Sequence, residues 1–387
     1  MTSATVPDDS SFGQVAHRAR GLTDSSLAGL LTRAAGRDVV DLAVGTPRFP
    51  VTEPALVEAA VAALRAGHNQ YLPPQGEATL RQSIAGSFDT PADPDTEITI
   101  TAGGTEALCV ALQSVLDPGD EVVLLEPFYE NFLGAVRLAG GVPRHVSLRE
   151  PDWRLPHDEL RKAFGPRTKA IILNSPSNPT GRMLGEEDLE LVAELCERWN
   201  AVAVSDEVYC HLVFDGRRHR SVADVPGLRE RAIVVGSLSK SHAISGWRLG
   251  YLRATAQRTR VLRRVHEVTT SGTVAPLQIS LGQVGIRPAL ARERAAALQA
   301  HRDEVTAAFA GLGISFGPVE GGCFAFGRLD DRHPDCDSFA TALLEERGVL
   351  IAPGRPFFSD PKHGDRFVRI AFNRPRDVIA TARERLS

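Results

Sequence analysis

The densest chemical signal in the chain is the run Ser237-Leu238-Ser239-Lys240, with Gly246-Trp247-Arg248 a short distance downstream. A lysine in such a setting serves two chemistries. In Ser-x-x-Lys acyl-enzyme hydrolases it deprotonates the serine, and partner motifs of the SDN and KTG type complete the site. This sequence has neither. In the other chemistry the lysine amine holds the aldehyde of pyridoxal phosphate as a Schiff base. That role asks for a phosphate site and for a carboxylate that keeps the pyridine nitrogen protonated. It also asks for a ring to stack on the cofactor and donors for its phenolic oxygen. Lysine is scarce here: of 44 basic residues only Lys162, Lys169, Lys240 and Lys362 are lysines. The other three fall in a polar helix-to-strand connection and a Pro/Asp/His/Gly loop, where arginine could serve. An arginine cannot form a usable Schiff base, so Lys240 is the position that requires lysine.

Each remaining part has a candidate. Glu97–Thr101 leads into Gly103-Gly104-Thr105 at a predicted helix start, where free amides and the helix dipole favour a phosphate dianion. Arg248 and the hydroxyls of Ser237 and Ser239 would complete that cup. Asp206 ends the run Ala201–Ser205, and ligands of open α/β sheets sit at such carboxyl ends. Tyr209 follows it with a phenol, and Asn174 and Asn178 sit in the turn Asn-Ser-Pro-Ser-Asn-Pro-Thr-Gly after Lys169–Leu173. The eleven histidines show no ligand spacing, and no HExxH or paired Cys/His motif occurs, so no metal site is expected.

The elements that must position these residues read as alternating strands and helices. Bare apolar runs at 97–101, 121–125, 169–173, 201–205 and 232–236 predict a mostly parallel sheet with helices on both faces. Helical spacing marks 186–200, 255–268 and 288–309. Beyond Gly313 short strands and a helix at 337–346 predict a smaller α+β C-terminal domain. The expected division is a flexible segment 1–13, an arm 14–45 packing on the small domain, a large cofactor-binding domain 46–279 and the small domain 280–387. At 387 residues the chain suits two domains. Net charge is −4, so no basic field invites nucleic acid or an anionic membrane. No apolar run is long enough to span a bilayer, and the N-terminus lacks the charge pattern of a signal peptide. Five scattered cysteines read as reduced thiols, so a cytoplasmic location is expected.

The segments GGTEAL, EPFYENF, NSPSNPTG, SDEVY, SLSKSHAISGWRLGY, APG and RFVRI occur in this order. In these the chain resembles the fold-type-I, aspartate-aminotransferase-like superfamily of pyridoxal-phosphate enzymes (aminotransferase class I/II), nearest the kynurenine and methionine aminotransferase branch. The resemblance implies transfer of an amino group between an L-amino acid and a 2-oxo acid. It implies that Lys240 is the Schiff-base lysine and general base, and that Asp206 pairs with the pyridine nitrogen. Tyr209 and Asn178 would hold the phenolic oxygen, Phe128 would stack on the ring, and Gly104, Thr105, Ser237, Ser239 and Arg248 would bind phosphate. Tyr71 would reach the phosphate from a neighbouring subunit, which implies a homodimer with shared sites. Arg369 would clamp the substrate carboxylate, helped by the Gly45 backbone and Asn178.

The same constellation also serves lyases, cyclases of the capreomycidine-synthase type and amino-acid oxidases, which stand as the alternative. Non-catalytic regulators on this fold carry a winged-helix domain, and the roughly 40 residues before Gly45 are too few for one. Three residues depart from the family's usual wording or invite a role beyond it. Arg48 and Arg355 could meet an acidic side chain or be solvated, and His242 could carry a proton or line a wall.

Overall fold

Strands that are apolar on both faces belong inside a sheet covered by helices, because each exposed Val, Ile or Leu would forgo about 1.5–3 kcal/mol of burial. The structure, a computed structural model, describes residues 16–20, 22 and 28–387, and the segment 1–13 expected to be flexible lies outside the described residues. In chain order the first strands are β1 (Val40–Asp41), β2 (Ile98–Thr101), β3 (Glu121–Glu126), β4 (Val142–Ser147), β5 (Thr168–Asn174), β6 (Val202–Asp206), β7 (Ala232–Ser237) and β8 (Gly250–Arg253). They are followed by β9 (Ile314–Phe316), β10 (Phe324–Leu329), β11 (Val349–Leu350), β12 (Ala352–Pro353) and β13 (Phe367–Ala371).

Seven of these form the central sheet in the order β2-β8-β7-β6-β5-β3-β4. The pairs β4–β3, β3–β5, β5–β6 and β6–β7 are parallel, as the bare apolar runs require, whereas β8 runs antiparallel to both β7 and β2. That reversal matters for the site. It brings the amino end of β8, and Arg248 just before it, to the edge where the parallel strands end. Strand β4 (VPRHVS) was not legible as a strand: it is an edge strand with polar residues and a proline, and much of it is exposed. Helices Gly104–Val115 and Glu186–Trp199 flank the sheet, and their apolar residues join the strands in separate buried clusters.

After helices Ala256–Thr270, Ala275–Val284 and Pro288–Ala310 comes a four-stranded antiparallel sheet, β12-β13-β10-β9. Strand β1 pairs in parallel with β11, so the chain around residues 40–42 is tied to the C-terminal part of the molecule. Trp153, from the loop after β4, packs on Phe326 and Phe367 of this second sheet at 5.5 and 5.3 Å between ring centroids. Among the described residues no helix is long and apolar enough to cross a membrane, and no cluster of side chains has metal-ligand geometry.

Candidate active site

Register explains why residues distant in sequence meet. Asn174, the last residue of β5, lies opposite Asp206, the last of β6, and Asp206 lies opposite Val235 near the end of β7. Ser237 then caps the short helix Leu238–Ser241: its Oγ accepts from the Ser239 amide at 3.2 Å and bonds the Ser239 hydroxyl at 2.9 Å. One turn on, Lys240 reaches back toward Gly45, donating from Nζ to the Gly45 carbonyl at 2.7 Å. A cavity of about 370 Å³ opens over these strand ends, and Gly45, Gly104, Thr105, Asn178, Asp206, Tyr209, Ser237, Ser239, Lys240, Arg248 and Arg369 all line it.

The cup at its base is made by close backbone approach. Gly103 has φ +84° and caps the helix Gly104–Val115, leaving the first amides of that helix free. A Cβ at Gly103 would lie 2.5 Å from Arg248 Nη2, and one at Gly250 would lie 2.5 Å from the Gly103 carbonyl carbon. The guanidinium therefore occupies the space that a side chain at 103 would need. Arg248 is exposed into the opening and donates to the Ser245 carbonyl at 2.8 Å. Free helix amides, two hydroxyls and a guanidinium form a site for a phosphate dianion.

Asp206 and Lys240 supply a carboxyl and an amine to the same cavity. The carboxyl Oδ1 of Asp206 accepts from the Val208 amide at 3.1 Å, and burial pushes its pKa up to about 7 despite that bond. Such a carboxyl is suited to face a cationic ring nitrogen. Burial, with Arg369 and Arg374 nearby, lowers the Lys240 pKa, which favours a neutral, nucleophilic amine. Burial raises Tyr209 well above the ordinary phenol value, so its hydroxyl stays a donor.

Arg369 is held from every side but one. Nη1 donates to Asn178 Oδ1 at 3.0 Å, Nη2 to the Ala43 carbonyl at 2.9 Å, and the guanidinium lies 4.1 Å from the Phe324 ring centroid and 4.7 Å from that of Phe357. Nε is buried with no hydrogen-bond partner. A buried donor on a charged group without a partner is costly. These donor sets fit pyridoxal phosphate: an anion cup, a carboxyl for the ring nitrogen, an amine for the aldehyde and a second cation for a substrate carboxylate.

Two expected site residues lie elsewhere. Phe128 does not line the cavity. It stacks on His145 of β4 at 5.7 Å and borders a separate small void with Trp153 and Leu184. Tyr129, the next residue, lines the cavity instead and accepts from Asn131 Nδ2 at 2.6 Å. The two adjacent rings thus point to different surroundings, and only Tyr129 lines the opening. The Phe-Tyr pair marked the position, but not which ring turns inward. Tyr71 is 90% exposed and absent from the cavity of its own chain.

The three ambiguous residues are also placed. His242 is buried outside the cavity, Nδ1 against the Ser241 hydroxyl at 2.9 Å, and burial lowers its pKa to about 3. Arg355 is tied to Asp337 and Asp365 at 2.6 and 2.5 Å, and Arg48 is exposed. Neither arginine lines the cavity. Sequence reasoning passed over Phe324 and Arg374, whose importance comes from contacts with distant segments.

Comparison with known proteins points to one family. The chain is 32% identical to the aspartate aminotransferase of Bacillus subtilis, over 96% of this chain and 98% of that protein. It is 30% identical to kynurenine–oxoglutarate transaminase 1 of Homo sapiens, over 96% and 97%. Among solved structures, N-succinyldiaminopimelate aminotransferase from Mycobacterium tuberculosis superimposes with a TM-score of 0.90 at 32% identity, covering 96% of this chain and 99% of that one. YbdL from Escherichia coli, identified as a methionine aminotransferase, gives a TM-score of 0.92 at 29% identity over 96% and 99%. The profile of the family described as aminotransferase class I and II matches residues 37–386, and the chain belongs to that family of pyridoxal-phosphate-dependent, fold-type-I aminotransferases.

Proposed function

We propose that amino-group transfer between an L-amino acid and a 2-oxo acid runs through Lys240, Asp206 and Arg369. The observation that carries this reading is their convergence, with the Gly104 helix start, on one cavity. The bound cofactor supplies an electron sink for the carbanion left when the substrate loses its Cα proton. Lys240 would hold the cofactor's aldehyde through Nζ, and the same amine would serve as the base for the substrate's Cα proton. Asp206 would keep the ring nitrogen protonated by its charge. Tyr209 and Asn178 would donate to the phenolic oxygen. The Gly104 and Thr105 amides, the hydroxyls of Ser237 and Ser239, and Arg248 would hold the phosphate. Arg369, with Asn178 beside it, would orient the substrate carboxylate, and Tyr129, which lines the cavity, would cover the ring.

The reading extends to a cytoplasmic homodimer in which Tyr71 completes the partner's phosphate site. Five unpaired cysteines support the location, and the exposure of Tyr71 supports the exchange. The division into 46–279 and 280–387 is kept, supported by the central sheet lying in the first part and the antiparallel sheet in the second.

Borohydride reduction of the loaded enzyme followed by peptide mapping tests the anchor. The mark is expected on Lys240, and a mark on Lys162, Lys169 or Lys362 would sink the assignment. Adding a panel of amino acids without an oxo acid tests the reaction: the amino form of the cofactor accumulates with at least one donor. Lys240→Ala is expected to abolish turnover while some cofactor remains bound through its phosphate.

A further inference from the structure

Past β1 the chain passes between Leu350 of β11 and Ala371 of β13 at Leu42 and then lines the site at Val44–Thr46, and all its carbonyls from Asp41 to Thr46 accept a hydrogen bond. Leu42 takes the Ala371 amide at 2.7 Å, Ala43 takes Arg369 Nη2 at 2.9 Å, and Gly45 takes Lys240 Nζ at 2.7 Å. The other three are served by one side chain. Arg374 donates from Nε to Asp41 at 2.6 Å, from Nη1 to Thr46 at 3.2 Å and from Nη2 to Val44. Its remaining contacts are Asn373, whose Oδ1 accepts at 2.7 Å, and the Asp41 carboxylate at 3.5 Å. Arg374 is 1% exposed, so its charge is neutralised by these carbonyls and Asp41 rather than by water.

We propose that Arg374 is a positioning residue for amino-group transfer: its guanidinium fork holds the 41–46 strap so that the Gly45 carbonyl faces the Lys240 amine and the Ala43 carbonyl braces Arg369. This rests on the assignment of Lys240 and Arg369 above. The physical argument is geometric. Three carbonyls spread over six residues can be met by a planar fork with five donors, whereas the ammonium of a lysine is a single point. Loosening the strap would leave Arg369 free to tilt and so weaken carboxylate binding, with less effect on the proton transfer itself. Arg374 also brings a positive charge close to Lys240, so removing it changes the titration of the lysine-bound cofactor.

The test compares loaded wild-type enzyme with Arg374→Met, Arg374→Lys and a control, Arg253→Met. Arg253 is 2% exposed and donates to the Thr90 carbonyl, outside the strap. In both Arg374 variants KM for amino donor and oxo acid is expected to rise about tenfold, with kcat falling no more than about threefold. Backbone amides of residues 42–46 are expected to exchange at least about tenfold faster while the central strands keep their protection. The absorbance titration of the lysine-bound cofactor moves to higher pH in Arg374→Met and less in Arg374→Lys, which keeps the charge. Wild-type KM and exchange in either variant would overturn the proposal, as would an equal KM rise in Arg253→Met. If Arg374→Met does not fold, Arg374→Lys decides alone. A borohydride mark away from Lys240 defeats the underlying assignment instead, and is read independently of the Arg374 variants.

Discussion

Asp206 is the residue whose chemistry depends most on its surroundings. Its folded pKa of about 7 lies above the ordinary value of 3.8, with burial the main cause. Between those values the folded chain binds more protons than the unfolded one, so the stability of the cofactor-free protein falls as pH rises from about 4 to about 7. Asp206→Asn removes that cost. Cofactor-free Asp206→Asn is expected to melt higher than wild type at pH 8, by on the order of a few kcal/mol, and to match it near pH 4. The same variant binds cofactor more weakly, because a neutral amide does not favour a protonated ring nitrogen. Thermal melts at the two pH values and a cofactor titration check both, and equal melting at pH 8 would contradict the burial argument.

At the scale of elements, the phosphate cup depends on a glycine-led helix start and a reversed strand. Gly103 combines a left-handed φ with contact to Arg248. Gly103→Ala is expected to cost about 1–3 kcal/mol of stability, because φ +84° with ψ 172° is a region open essentially to glycine alone. It also displaces the guanidinium and weakens cofactor binding by about tenfold, the equivalent of one lost charge-assisted hydrogen bond. Equilibrium dialysis with pyridoxal phosphate reads the affinity, and unchanged affinity would show that Arg248 does not need its present position. The helix start is braced as well: Glu106 accepts from the Ala102 amide and pairs with His266 Nδ1 at 2.7 Å. His266 Nε2 meets the Pro74 carbonyl at 3.0 Å, linking the cup to the loop that carries Tyr71.

At the scale of the whole molecule the proposed dimer would use apolar side chains that this chain leaves exposed. Val51 at 68%, Tyr71 at 90% and Val268 at 90% lie on segments flanking the paired helices Pro54–Arg65 and Ala275–Val284. If Tyr71 serves the partner's site, a dimer of one Tyr71→Ala chain and one Lys240→Ala chain holds one intact site. Co-refolding equal amounts of the two variants is then expected to restore activity toward about a quarter of wild type, because about half the dimers are mixed and each mixed dimer has one working site. No recovery, with mixed dimers demonstrated by mass, would refute shared sites. If Val268 lies in the proposed dimer interface, Val268→Asp is expected to shift sedimentation toward monomer and to weaken cofactor binding with it.

Local pattern carried most of the architecture. The runs EVVLL, KAIIL, AVAVS and AIVVG are strands because branched apolar residues on both faces have no other stable place, and their ends located Asp206 and the Asn174 turn. Lys240 stood out because a Schiff base admits lysine and not arginine, and it lines the cavity. Edge strand β4 was hidden by its polar residues, and the reversal of β8 by the fact that direction is a property of pairing. Whether Phe128 or Tyr129 faces the cavity depended on how the chain leaves β3. The roles of Phe324 and Arg374 depended on segments hundreds of residues apart meeting at one strap. Chain composition and spacing thus determined which groups exist and on which elements they ride. Only the tertiary structure decided which of them share a cavity, because burial, register and long-range hydrogen bonds are set by the packed whole.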